Sequence, residues 1–424
     1  MDHLLHRKTN ACLLLRSASG DPLADARVTV EQIDHAFGFG NIGFEFVDWI
    51  AGPPAGVERS NHQPAPDMDT LSKLWLELFN QATLPFYWRQ FEPTPGSTDT
   101  ERLLATALWF RQRGVRPKGH PLLWHTLAPK WLLDLDDVGV EAAIRERITR
   151  DVTAFAGLVD HWDAINEVVI LPVFTAEQNA VTRLAQKLGR VAMVRLAFEA
   201  ARDANPNARL VVNDFELTQD YVDLIRDCLQ AGIEIDAIGL QTHMHQGFRG
   251  AEEIHERIER FAQFGIPIQL TETTLVSGDL MPAHIVDLND FEVDDWPTTP
   301  EGEARQADDL VQHYTTAFAH PAVESITYWG ITDHGAWLGA PCGLLRRDGS
   351  PKPGYDALRN LIKGDWWYGS RELITDFDGR VRVDSFAGRY RITAADGMAE
   401  VELPAGFQGE VVVPIGTGQV LSRR

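Results

Sequence analysis

The sequence predicts an α/β fold, a (β/α)8 barrel with a small accessory β module formed by the two ends of the chain. Eight short apolar runs alternate with amphipathic helical patterns between residues 37 and 363. Polar side chains stand at the C-terminal ends of several runs, where a barrel builds its active site. We therefore expect N-terminal strands over 1–36, the barrel over 37–363 and C-terminal strands over 364–424.

Each predicted barrel strand is a short apolar run bounded by polar or turn residues. The runs are FGFGNIGF (37–44), ATLPFYW (82–88), VRPKGHPLLW (115–124), HWDAIN (161–166), ARLVVND (208–214), DAIGLQTH (236–243), PIQLTET (267–273) and SITYWG (325–330). Apolar residues at helical spacing predict helices over 140–159, 182–203 and 251–265.

The two ends of the chain alternate apolar and polar residues, which is typical of half-buried strands. Turn residues such as Ser19-Gly20-Asp21-Pro22 and Asp378-Gly379 separate the runs. Because isolated hairpins are marginal in water, we expect both ends to pack into one module, a β-sandwich-like one. Its aromatic residues fit a core or a domain interface better than an exposed platform; they are Trp366, Trp367, Tyr368, Phe386 and Tyr390.

Composition excludes several classes of protein. The chain has 424 residues, with 39 basic against 61 acidic side chains and a net charge of −22, which argues against nucleic-acid and anionic-membrane partners. Three scattered cysteines exclude a disulfide framework and a cysteine-based zinc site. The sequence contains neither a transmembrane run nor a recognisable signal peptide, so we expect a cytoplasmic location, or a secreted one if a leader is missing from this start. The oligomeric state stays open.

Two glutamates carry the strongest chemical signal. Glu167 follows the fourth apolar run in WDAINE, and Glu272 lies in the seventh in IQLTET. Strands that far apart in a ring of eight face each other across the barrel mouth. One glutamate at a strand end is usually a solvated surface residue. A pair flanked by Asn, Gln and His instead suits glycoside hydrolysis, in which two carboxyl groups flank the cleaved bond.

Several motifs then occur in one order with fitting spacing. They are GHPLLWH (119–125), WDAINE (162–167), LVVNDFE (210–216), IGLQTH (238–243), LTET (270–273), YWGITDHGAW (328–337) and LLRRDGSPKPGY (344–355). With them the chain resembles glycoside hydrolase family ten, the endo-β-1,4-xylanases, over residues 37–363. The resemblance implies a retaining hydrolase of β-linked xylan-type polysaccharides or oligosaccharides, with neither a cofactor nor a metal ion.

The resemblance also implies a role for each matching residue. Glu167 matches the general acid/base and Glu272 the nucleophile. Asn166 matches the residue that binds the sugar 2-hydroxyl, and His243 would orient Glu272 with Gln241 beside it. The remaining residues that match or fit the sugar-binding surface are His120, Trp124, Trp329, Trp337 and Tyr87.

Two departures from the family pattern fall on the glycone side of the site. The family usually carries Glu-Asn and Lys-Trp there to grip the sugar, whereas this chain supplies LPFY (84–87) before Trp88, and Leu127 replaces an expected Gln. A site that loses hydrogen-bonding groups discriminates differently between sugars. We therefore keep two alternatives: the same mechanism on another β-glycan or glycoside, and a non-catalytic sugar-binding barrel.

Three other features have weaker functional interpretations. GFGNIG (38–43) matches a dinucleotide-binding motif, but the segment after it does not predict a helix, which disfavours that site. His120, His243 and His245 lack a usual metal-ligand spacing. The long segment 277–306 could wall the cleft or simply cover it.

Overall fold

The computed structural model describes residues 2–53, 67–416 and 420–421. The chain divides into two compact units, one formed by 1–38 with 355–424 and the other by 39–354. The boundary between residues 38 and 39 lies close to the predicted boundary between 36 and 37. The boundary between residues 354 and 355 lies inside the helix Pro353–Arg359, a few residues before the predicted boundary after 363.

The strands and helices follow in chain order. The strands are β1 (Lys8–Arg16), β2 (Arg27–His35), β3 (Gly38–Ile42), β4 (Gln81–Pro85), β5 (Arg116–His120), β6 (His161–Asn166), β7 (Arg209–Asp214), β8 (Ala237–Met244), β9 (Ile268–Leu275), β10 (Val323–Tyr328), β11 (Arg371–Ile374), β12 (Arg380–Phe386), β13 (Gly388–Ala394), β14 (Gly397–Leu403), β15 (Gln408–Pro414) and β16 (Val420–Leu421). The helices are α1 (Phe44–Ala51), α2 (Met68–Leu78), α3 (Trp88–Phe91), α4 (Thr100–Arg111), α5 (Asp137–Phe155), α6 (Ala180–Leu188), α7 (Arg190–Ala204), α8 (Gln219–Gln230), α9 (Ala251–Ala262), α10 (Pro300–Ala319) and α11 (Pro353–Arg359), with a π-helical segment at Asn360–Asp365.

The larger unit is a closed barrel of β3 to β10 in chain order, which confirms the predicted fold class. The neighbouring strands pair in parallel from β3 through β10. Two glycines permit close packing: a Cβ on Gly119 would lie 2.1 Å from the Trp162 ring, and one on Gly40 would lie 2.7 Å from the Thr327 hydroxyl. Side chains at these two positions would push the strands apart.

The barrel interior below the mouth is a polar layer. Lys118 pairs with Asp163 at 2.7 Å and donates to Gln269 at 3.2 Å. Gln269 contacts the His161 ring nitrogen at 2.9 Å. Because Lys118 and Asp163 are almost completely buried, this pairing is what makes their charges tolerable inside the barrel.

Several helices begin at residues whose side chains cap them. The side chains of Asp136, Asn179 and Thr299 accept backbone N–H groups in the first turns of α5, α6 and α10. Two helix predictions were wrong. The helix expected over 182–203 is broken at Gly189, whose φ of 82° lies outside the helical region.

The second error concerns the segment after GFGNIG, which forms α1. The glycines of this motif nevertheless serve packing: a Cβ on Gly43 would lie 2.8 Å from the Phe110 ring, and Gly40 faces Thr327. This close packing accounts for Gly40 and Gly43 without a dinucleotide.

The smaller unit contains two sheets, in the strand orders β12-β1-β15 and β11-β2-β13-β14-β16. N-terminal and C-terminal strands mix in both sheets, and their apolar faces form a shared core. Trp366, Tyr368, Phe386 and Tyr390 are buried, as predicted. Trp367 is half-buried, with the Lys363 amine 3.6 Å from its ring.

A search of the described helices for a long apolar segment that could cross a bilayer finds no candidate.

Candidate active site

The two glutamates lie at the C-terminal mouth of the barrel. Glu167 directly follows β6, the fourth barrel strand, and Glu272 lies near the end of β9, the seventh. Glu167 has a φ of 57°, which is uncommon for a residue with a side chain. Its N–H donates to the Asn213 carbonyl at 2.8 Å, and this bond fixes the turn that aims the carboxyl group.

A chain of side-chain amides connects the two carboxyl groups. Asn166 Nδ2 donates to Glu167 Oε1 at 3.2 Å, and Asn213 Nδ2 lies 2.8 Å from both Asn166 Oδ1 and Glu272 Oε1. Gln241 Nε2 donates to Asn166 Oδ1 at 3.2 Å. The amides therefore hold both glutamates in one hydrogen-bonded unit.

Hydrogen-bond donors surround Glu272. His243 Nε2 lies 3.1 Å from Glu272 Oε2, and its Nδ1 lies 3.2 Å from the Thr274 hydroxyl. Because Thr274 Oγ1 also accepts the Met244 N–H, its proton is available for His243 Nδ1, which leaves the Nε2 proton for Glu272. With Asn213 donating to the other oxygen, both carboxylate oxygens of Glu272 have a hydrogen-bond donor.

His120 is held from below by the polar layer of the barrel. Its Nδ1 lies 2.8 Å from Asp163 Oδ2, and its Nε2 lies 4.0 Å from Glu272 Oε1. Burial alone would raise the pKa of Asp163, but Lys118 and His120 outweigh burial and hold that pKa at about 2. The Asp163 carboxylate therefore accepts from Nδ1, and His120 Nε2 is left facing the space beside Glu272.

Glu167 lies in a different environment. Burial, and then the charge of Glu272, raise the pKa of Glu167 from 4.5 to about 8, although Trp124 Nε1 donates to its Oε2 at 2.8 Å. His125 Nε2 lies 3.7 Å from the same oxygen, and burial lowers the pKa of His125 to about 3, so this imidazole is neutral. Glu167 is thus a protonated acid near neutral pH, which is the state that a general acid requires.

Aromatic residues surround the pair, and the predicted sugar-contact residues lie together. The Tyr87 ring lies 5.8 Å from the Trp124 ring and 5.7 Å from the His120 ring. Trp329 lies 5.1 Å from His120. Trp337 packs on His243 at 4.9 Å and leaves 39% of its surface exposed, so it forms part of the rim. Leu127, the second departure from the family pattern, has a φ of 57°, and its carbonyl accepts the Arg89 N–H.

The segment 277–306 is anchored beside the site by an apolar cluster that includes Met281 and Trp296. The Met281 N–H donates to the His245 carbonyl, while the aspartates of the segment are exposed. His245 is buried next to Trp337, and burial together with His243 lowers the pKa of His245 to about 3.

Sequence reasoning missed several supporting residues. Asn213 is recognisable in the sequence as a polar residue at a strand end. Its contacts, a side-chain bond to Glu272 and a backbone bond from Glu167, depend on the neighbouring strands and could not be predicted. The Thr271 hydroxyl donates to the side-chain Oδ1 of Asn213 at 2.5 Å and fixes which way the side-chain amide points. Thr274, Asp163 and Phe44 were not singled out from the sequence: Thr is common in strands, the role of Asp163 in WDAINE depends on Lys118 and His120 of another strand, and Phe44 begins a helix that was not predicted.

One group of side chains in the described part of the chain has metal-ligand character. His255, Glu259 and His320 place their ligand atoms within 4.8 Å of one another, at the end of the barrel opposite the glutamates. However, His320 Nδ1 accepts the Ala322 N–H at 3.2 Å, so Nε2 carries the proton that Glu259 accepts at 3.0 Å. A cation would have to displace that proton and break the Ala322 bond, so these contacts fit a helix-end hydrogen-bond network better than a metal centre.

Comparisons with known proteins agree on one family. A family model of glycosyl hydrolase family 10 matches residues 63–361. RsgI6 of Acetivibrio thermocellus, named an anti-sigma-I factor, is 26% identical over 398 residues, 91% of this chain and 45% of its own length. Endo-1,4-beta-xylanase C of Paenibacillus barcinonensis is 28% identical over 384 residues, 81% of this chain and 34% of its own length. The chain therefore spans less than half the length of these two relatives.

Solved structures share the fold. The GH10 structure from Paenibacillus barcinonensis is 24% identical with a TM-score of 0.62, covering 77% of this chain and 95% of that one. Xylanase 10B of Thermotoga petrophila in complex with xylobiose is 20% identical with a TM-score of 0.62, covering 78% of this chain and 95% of that one. The family match extends over most of the barrel and includes both glutamates, and the chain belongs to glycosyl hydrolase family 10.

Proposed function

We propose that the chain is a retaining glycoside hydrolase that cleaves β-linked xylan-type polysaccharides or oligosaccharides. The observation that carries this proposal is the contrast between two glutamates in one amide network: Glu167 is protonated near neutral pH, and Glu272 is surrounded by donors. Environments that differ in this way are suited to an acid and a nucleophile. The family match and the xylanase relatives support the substrate class.

In the first step a Glu272 oxygen forms a bond to the anomeric carbon while the bond from that carbon to the leaving oxygen breaks. Glu167 gives its proton to the leaving oxygen. Water then attacks the anomeric carbon from the side that the leaving group vacated and gives a proton to Glu167, which frees Glu272. Two inversions give net retention, which requires carboxyl groups about 5–5.5 Å apart. The short amide chain between the glutamates supports such a spacing.

The amides and His120 act on the substrate. Asn166 lies between the glutamates, where it can hydrogen-bond the sugar 2-hydroxyl, a contact that strengthens as charge develops. His120 Nε2 faces the space beside Glu272 and can accept from a second hydroxyl. Trp329 and Trp337 offer flat apolar faces to the C–H face of the sugar.

Two alternatives keep some support. The aromatic surface formed by Tyr87 and its neighbours favours the same mechanism on another β-glycan or on a glycoside with a non-sugar group. The similarity to RsgI6, whose name is not that of an enzyme, keeps a non-catalytic sugar-binding barrel as a further alternative.

The test is release of reducing ends from xylan, arabinoxylan, β-1,3- and β-1,4-glucans and xylo-oligosaccharides. Glu272→Ala should lose turnover by a factor of about 10⁴ or more, since the covalent step has no other nucleophile. Glu199→Ala, which removes a half-exposed helix carboxylate, is the matched control. Activity on a glucan but not on xylan would favour the first alternative. Binding of oligosaccharides by the parent chain without cleavage of any substrate would favour the second.

The covalent intermediate can be tested directly. A 2-deoxy-2-fluoro glycoside with a good leaving group should inactivate the parent chain and leave a stable adduct, because fluorine slows the second step. Peptide mass spectrometry should find the added sugar on Glu272. An adduct on another residue, or inverted configuration of the first product, would contradict the assignment.

A further inference from the structure

Four aromatic rings form a continuous wall around one part of the barrel mouth. Trp329, Phe44, Tyr87 and Trp124, here called the aromatic wall, follow the barrel strands β10, β3, β4 and β5. Phe44 lies 5.7 Å from Trp329 and 5.7 Å from Tyr87 between ring centroids, and Tyr87 lies 5.8 Å from Trp124. Because these strands are neighbours in the barrel, the wall spans four consecutive strand ends.

The ring spacing leaves no room for a sugar between neighbouring members of the wall. A pyranose stacked between two rings needs a contact distance of about 3.5–4 Å on each side, so the centroids would have to lie about 7–8 Å apart. The observed 5.7 Å and 5.8 Å are direct ring contacts. A glycan chain cannot leave the mouth between these strand ends at the level of the rings.

The wall bounds the side of the site where the glycone lies. His120 contacts three of its members, at 5.1 Å from Trp329, 5.7 Å from Tyr87 and 6.3 Å from Trp124. His120 Nε2 in turn lies 4.0 Å from Glu272 Oε1. The sugar whose anomeric carbon reacts with Glu272 therefore lies against His120 and the wall.

The position after β7 is more open. Phe215, directly after that strand, leaves 43% of its surface exposed. A leaving group that receives its proton from Glu167 can pack on this solvent-facing ring. The mouth is thus closed along the wall and open after β7.

Tyr87 contributes a hydroxyl group to this closed side. Burial, and then the charges of Glu272 and Glu167, raise the pKa of Tyr87 well above its usual value. The phenol therefore stays neutral and can donate to a hydroxyl of a single enclosed sugar.

We infer that the aromatic wall closes the glycone side after one sugar unit, so that the enzyme removes single units from the non-reducing end of β-linked oligosaccharides. Tyr87 is the specificity-determining residue of this pocket. The inference rests on the proposed hydrolase function.

The test compares an aryl β-xyloside with the aryl β-xylobioside, and follows the first product from borohydride-reduced xylotetraose by chromatography. The parent chain should release xylose first and hydrolyse the xyloside at least as efficiently as the xylobioside. Tyr87→Ala should raise the xylobioside-to-xyloside ratio of kcat/KM by about ten-fold or more, because it opens the wall. Tyr87→Phe keeps the ring and should move the ratio far less. Phe44→Leu, which removes the adjoining ring, should act in the same direction as Tyr87→Ala and replaces it if that variant does not fold.

The outcomes distinguish the closed pocket from the hydrolase function on which it rests. Release of xylobiose as the first product, or a preference of about ten-fold or more for the xylobioside in the parent chain, would overturn the closed pocket and leave the hydrolase function standing. An unchanged ratio in folded Tyr87→Ala and Phe44→Leu would also overturn it. If the parent chain cleaves no substrate of any length, the proposed function itself fails.

Discussion

Replacing Glu167 with glutamine tests the environment of this side chain through protein stability. Burial, and then the charge of Glu272, raise its pKa from 4.5 to about 8 in the folded chain. A carboxyl group with a raised pKa contributes stability that is fully present below about pH 4.5 and is lost as the pH rises through about 8. At 1.36 kcal/mol per pKa unit, the shift corresponds to about 5 kcal/mol across this window. Glutamine resembles the protonated acid but does not titrate.

As the pH rises from about 5 to about 8, the free energy of unfolding of the parent chain should therefore fall, relative to that of Glu167→Gln, by roughly 1.4 kcal/mol per pH unit. Denaturant titrations of both proteins at several pH values measure the difference. Glu199→Gln removes a half-exposed carboxylate on α7 and should run parallel to the parent chain. A difference between Glu167→Gln and the parent chain that stays constant from pH 5 to pH 9 would refute the buried, protonated acid.

The remaining predictions concern Glu167, the buried pair of Lys118 and Asp163, and Trp337. The value of kcat/KM should fall at alkaline pH with an apparent pKa near 8, because the proposed acid Glu167 must be protonated to act. A plateau up to pH 10 would contradict this. Asp163→Asn leaves the Lys118 charge buried and unpaired, so it should lower the free energy of unfolding by about 3–5 kcal/mol in denaturant titrations, and adding Lys118→Met should recover part of the loss. Trp337→Ala should raise KM by about ten-fold with little change in the melting temperature, since that side chain is 39% exposed; a large loss of stability would show instead that it serves packing.

The barrel and the placement of the two glutamates could be predicted from the sequence because each depends on local pattern. The eight apolar runs coincide with the barrel strands to within a few residues, and the polar residues that end several of the runs lie at the same rim. Glu167 and Glu272 are then brought together by the strand order alone. The supporting contacts were not predictable, because they depend on which side chains of different strands face inward. Asn213 reaches both glutamates only because β7 lies between β6 and the strands β8 and β9.

The two wrong helix predictions have different origins. Gly189 lies inside a continuous apolar pattern, and the periodicity alone does not show that its positive φ divides the helix. The helix after GFGNIG was missed because its Gly43 start lacks a capping side chain.

The two glutamates differ in their surroundings. Below the mouth, the Asp163 carboxylate holds the Nδ1 proton of His120 and turns its other nitrogen toward Glu272, where it can accept from a sugar hydroxyl. The donors to Glu272 are instead Asn213 and His243. Burial, and then the charge of Glu272, raise the pKa of Glu167. Removing the charge of Glu272 should therefore lower the pKa of Glu167. The proposed nucleophile thus helps to set the protonation state that the proposed acid needs.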